Sequence, residues 1–149
     1  MRAVAASGAV LALLMTAAVV APSGRSAFVV RAERVCAQTG EAAAAIAARR
    51  GPDDTAATHL LAQAQLAREQ LETLASLPAT RVEQPAKTRL VSALAASADV
   101  LQEYARATRR GDHETRKALA IPGGPGARTA DATREAALAL GLDTCARLA

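Results

Sequence analysis

Two cysteines, two histidines and two arginine pairs are the residues of this chain with chemistry to offer. Cys36 and Cys145 are its only thiols. In a small domain outside the cytoplasm an even number of thiols ordinarily means a bridge; the alternative is two free buried thiols. His59 and His113 each stand near acids, with Asp53 and Asp54 before the first and Asp112 and Glu114 flanking the second. Two imidazoles and a carboxylate such as Asp112 form a donor set for a divalent metal. The pairs Arg49–Arg50 and Arg109–Arg110 offer a cationic surface to an acidic partner. A simpler account competes with both: acids at helix starts and arginines at helix ends complement the backbone dipole and need no ligand.

Catalysis finds little footing. The chain has no G-x-S-x-G and no H-E-x-x-H, and no cysteine stands in register with a histidine. Residues 123–129, GGPGART, resemble a phosphate loop only in their glycines. They lack the Gly-Lys-Ser/Thr ending, and their proline has no N–H to donate. The expectation is a non-enzymatic protein with no cofactor.

The elements that must position these residues begin with an apolar tract. Ala3 to Pro22 carries no charge and follows only Met1 and Arg2. Its length is near the ~20 residues that cross a bilayer as a helix, and its order of one positive residue, an apolar run and small residues also fits a secretory signal. Cleavage after Ser23 places Ala21 and Ser23 at the positions where small residues are wanted. Residues 1–23 are therefore read as a signal peptide or an uncleaved membrane anchor, and 24–149 as one extracytoplasmic domain. No Leu-x-x-Cys lipobox precedes Cys36.

Charge adds little. The net charge is +4 and the isoelectric point about 9.8, but Arg2 leaves with the leader, so 17 basic residues face 14 acidic ones for a net +3. The charges are interspersed, and Phe28 and Tyr104 are the only aromatic residues, too few to build a stacking platform for bases. Nucleic acid is not an expected partner.

The exported part reads as helices throughout. Phe28, Ala32, Val35, Thr39, Ala42 and Ile46 recur at spacings of three and four, and Gly51-Pro52 ends that run. Asp53 and Asp54 offer a cap for a second helix over about 55–76, with Leu60, Ala64, Ala67, Leu71 and Leu74 as its seam. Pro78 stops it. Thr80 and Glu83 form a capping box, with Pro85 as an alternative start. The third stripe is Leu90, Leu94, Ala98, Leu101 and Ala105, closed by Gly111. Asp112 caps a short piece to about Ala120, residues 121–127 form a loop, and a last helix over about 129–147 buries Ala136, Leu138, Leu142, Cys145 and Leu148.

These elements predict an all-α fold, an up-and-down bundle of about four helices with an interrupted last helix, preceded by the N-terminal signal or anchor helix. In such a bundle the start of the first helix and the end of the last share a pole, which brings Cys36 and Cys145 within reach. The opposite pole gathers Arg49, Arg50, Arg109 and Arg110 with both histidines. Alanine-rich seams draw helices close and argue against a deep small-molecule pocket.

The leader, the VCAQTGEAAAAI helix, the Leu-rich middle, the GD at 111–112 and the terminal LGLDTCARLA together resemble small secreted or membrane-tethered helical proteins, mostly uncharacterised, of high-GC Gram-positive bacteria (actinobacteria). The resemblance implies an extracytoplasmic bundle with one disulfide and no activity, and transfers no functional residue. The function expected is surface contact with an envelope protein or polymer. The alternative is a metal- or anion-binding module at the Arg/His pole.

Overall fold

Ser26 sets the first helix going. In the computed structural model, which describes residues 24–49, 51 and 55–149, its hydroxyl accepts from the Val29 N–H at 3.2 Å, an N-cap that starts α1 over Ala27–Ala48. The chain then forms α2 (Ala56–Ser76), α3 (Gln84–Arg110), α4 (His113–Ala120), α5 (Pro125–Ala139) and α6 (Asp143–Leu148), with no strand among the described residues. The leader 1–23, Arg50 and the proposed caps Asp53 and Asp54 lie outside the described residues. Thr55 caps α2 instead, accepting from the Thr58 N–H at 3.2 Å. No described helix is long and apolar enough to cross a membrane.

The capping box predicted at Thr80 closes. The Thr80 N–H donates to Glu83 Oε2 at 2.8 Å, and the Glu83 N–H donates back to Thr80 Oγ1 at 3.3 Å. It holds a turn over 80–83, from which α3 starts at Gln84 with Pro85 in its first turn, where a missing N–H costs nothing. Glu83 also accepts from the Ser26 hydroxyl, so one carboxylate ties the starts of α1 and α3 together.

Neighbours are fixed by cross-helix contacts. Lys87, early in α3, donates to the Ala75 carbonyl at 2.7 Å and to that of Leu77, capping the end of α2, and its ammonium lies 5.9 Å from the centre of the Phe28 ring. Arg68 in α2 reaches Asp99 at 3.1 Å and also Gln102 in α3. These pairings make α2 and α3 antiparallel. Ser97 and Thr133, with hydroxyls 3.3 Å apart, join α3 to α5. The core is Phe28, Ala32, Cys36, Leu74, Leu90, Leu94, Ala136, Ala137, Leu142 and their neighbours, all toward the end where α1 and α3 begin.

The sequence reading differs from the structure most in the last third. The loop is shorter than 121–127: Pro125 already occupies the first position of α5, and the backbones of α4 and α5 touch, so that a Cβ on Gly126 would lie 2.8 Å from the Leu119 carbonyl oxygen. The predicted helix over 129–147 is broken. At Gly141, φ +70°, the Gly141 N–H donates to the Leu138 carbonyl and the Leu142 N–H to that of Ala137, a Schellman ending that terminates α5. The chain turns, and α6 runs back parallel to α1, with 144, 145 and 148 beside 33, 36 and 40. The break rotates the buried face. Leu138 and Leu148, expected inside, are 55% and 49% exposed, and Leu140 is buried instead. Among the described residues four long and two short helices stand where about four with an interrupted last one were expected.

Candidate functional site

The α6 segment builds the most organised site of the described residues. Cys36 and Cys145 lie at disulfide distance, their Cα atoms 5.1 Å apart, and both side chains are buried. The pair was legible from the sequence, but its geometry was not. Cys36 sits mid-helix in α1, and Cys145 reaches it because α6 reverses alongside. Gln70, itself buried on α2, donates to Cys36 Sγ at 3.3 Å.

Three further contacts seat α6. The Glu33 carboxylate accepts the Thr144 N–H at 3.2 and 3.1 Å, satisfying a first-turn donor that Leu142 cannot cap. Arg25 and Asp143 form an exposed ion pair at 3.7 Å. Gly40, a costly residue inside a helix, lies under Leu148; a Cβ there would stand 3.1 Å from Leu148 Cδ2. The close approach of α6 explains that glycine.

Below α6 a cleft opens between the helices. α1 and α5 do not pack against each other among the described residues; α6 stands between them and is too short to fill the space along their length. What remains is a cavity of about 400 Å³ bounded by α1, α2, α3, α5 and α6. The expectation was that alanine-rich seams leave little room for a deep pocket, and the space found is a cleft partly open to solvent. Small side chains close the gap only between helices that are neighbours, and here Ala43, Ala67 and Ala130 face one another across a helix that ends early. The larger residues of the wall are Leu66, Leu90, Leu94, Val100 and Leu101, and no lining side chain is charged.

The arginine and histidine residues stand at helix ends and starts. Arg49 is the C-cap of α1, and Arg109 and Arg110 end α3; all three are exposed. Arg50 lies outside the described residues. Arg110 pairs with Glu103 at 3.0 Å and Asp112 at 3.9 Å. Asp112 caps α4, accepting from the Thr115 N–H at 3.0 Å and its hydroxyl at 2.6 Å, and these bonds hold its carboxyl below the usual range. The His113 ring contacts Arg116, and His59 stands in the first turn of α2. Among the described residues no three His, Cys, Asp or Glu side chains come together as metal ligands would.

The Gly141 reversal and the buried Lys87 were missed from the sequence. For the first the signal was present: Leu-Gly-Leu-Asp is a helix stop followed by an acid at a new start. For Lys87 there was none, because its partners are backbone carbonyls on another helix. Comparison with protein-family models, curated proteins and solved structures finds no match.

Proposed function

We propose that this chain is a non-enzymatic extracytoplasmic helical protein, secreted or held at the membrane through residues 1–23, that works by surface contact with an envelope protein or polymer. The observation that carries this reading is the buried Cys36–Cys145 pair, since a bridge between distant parts of a domain belongs to an oxidising compartment. Arg49, Arg109 and Arg110, exposed where α1 and α3 end, supply the cationic surface, with Arg50 next to Arg49 in sequence. Such charges steer association with an acidic partner and weaken it as salt rises.

Intact mass of the natively expressed protein, taken from membrane and culture fluid with and without reduction before thiol alkylation, tests the compartment. A mass starting after Ser23, or a full-length membrane form, with thiols that react only after reduction supports the reading. Freely alkylated cysteines would overturn it. Co-sedimentation with isolated cell envelopes tests the surface: R109E combined with R49E is expected to lower binding at least tenfold, and unchanged binding would remove these arginines from the contact.

A further inference from the structure

The space below α6 is a cleft partly open to solvent, and the elements that border it are braced. Lys87 and Arg68 tie α2 to α3, Ser97 ties α3 to α5, and the Cys36–Cys145 pair holds α6 to α1. These contacts hold apart the walls of a space of about 400 Å³, which falls within the roughly 300–1,000 Å³ of small-molecule clefts.

Its polar groups are largely spoken for. Thr133 donates to the Thr129 carbonyl at 2.8 Å and accepts from Ser97, Thr39 donates to the Val35 carbonyl at 3.0 Å, and Gln70 donates to Cys36 Sγ. With no charged side chain and no aromatic ring in the lining, the walls offer nothing to an ionised or ring-stacking ligand. Leucine, valine and alanine side chains suit an aliphatic one.

We propose that this interhelical cavity binds a single aliphatic chain whose buried end carries no charge, the tail of a fatty acid or of a lipid. Any charged head group stays outside the lining. The site shares no residue with the arginine surface, so either reading can fail without the other.

The test is titration of the full, disulfide-intact protein with methyl-¹³C-labelled decanoate below its micelle-forming concentration, followed by NMR because the chain has no tryptophan to report binding. Saturable one-to-one binding is expected, with the labelled methyl close to leucine and valine methyls. Affinity should rise about fourfold per added methylene along a series of longer acids, then level off once the cavity is full. A67L, which fills the space, should weaken binding at least tenfold, whereas A96L on the exposed side of α3 should not. If A67L misfolds, the levelling of the chain-length series still decides. Absence of saturable binding, affinity that climbs without levelling, or a folded A67L that binds like the parent would each overturn the proposal. Competition with dioctanoyl phosphatidylglycerol separates the sources: displacement of decanoate assigns a lipid chain, and failure to displace assigns a free acid.

Discussion

The two halves of the bundle are built from the same alanine-rich helices, yet one is packed with large side chains and the other is packed with small ones and split by a cleft. Where α1 and α3 begin, Phe28, Leu74, Leu90 and Leu142 are almost wholly buried and α6 lies between α1 and α5. A few turns further along, α1 offers Gly40 and Ala43, α2 Ala67 and α5 Gly126 and Ala130, and only Cys145 and Leu148 of α6 reach the cleft. Helix propensity is equal or better in the cleft half, since alanine is the best helix former. Secondary structure and packing therefore separate here: small residues secure the helices, and the few large ones decide where a core exists.

The largest expected effect sharpens that contrast. Phe28→Ala removes the only aromatic side chain of the core and should cost about 3–5 kcal/mol by urea denaturation. Leu101→Ala, on the half-buried wall of the cavity, should cost under about 2 kcal/mol, because the residue already borders empty space. Equal costs would mean the two halves are packed alike.

Next comes the link between the halves. Replacing Cys36 and Cys145 together by alanine releases α6 and the constraint of a 109-residue separation, and should cost about 2–5 kcal/mol. Because α6 closes the cavity, hydrogen exchange should quicken along α6 and the facing turns of α1 before it does in α3. Uniform quickening would show that the bridge acts only on the unfolded chain.

A single type of substitution can then be placed in both halves. Ala32→Leu, at a fully buried site against the core, overpacks it and should cost about 1–3 kcal/mol. Ala67→Leu fills empty volume and should be neutral or stabilising by about 0.5–2 kcal/mol. Destabilisation at both positions of similar size would remove the cavity as a real void.

How far the sequence revealed this follows the same division. The α3 stripe was legible, with Leu90, Leu94, Ala98 and Ala105 all buried as their spacing implied, because periodicity reports the face a helix turns inward. The break at Gly141 was written in Leu-Gly-Leu-Asp but hidden by the continuing apolar residues on both sides, and with it went the faces of Leu138 and Leu148. The cavity was not legible. It depends on which helices are neighbours and on where α6 stops, and no local pattern carries either. Arg49, Arg109 and Arg110 stand at helix ends, as their places after the buried stripes implied.

The smallest effect tests how the filled end is fastened. The Ser26 hydroxyl, the Thr80 hydroxyl and the Thr80 N–H all donate to the Glu83 carboxylate, and in that order they hold its pKa below the ordinary 4.5. A carboxylate depressed in the folded state binds its proton more weakly than in the unfolded chain. Its contribution is therefore fully present above the unfolded value and declines as pH falls through the folded one. Because Glu83 is largely solvated, the contribution is small. Stability followed from pH 6 to pH 3 should fall more steeply for the parent than for Glu83→Gln, which keeps the shape of the box without the charge. Asp112 has the same sign of shift and lies at the other end of the bundle, so Asp112→Asn is the matched control. If Glu83→Gln and the parent lose stability in parallel while Asp112→Asn does not, the charge that fastens helix starts sits at α4, and the filled end owes its order to Phe28 and its leucines alone.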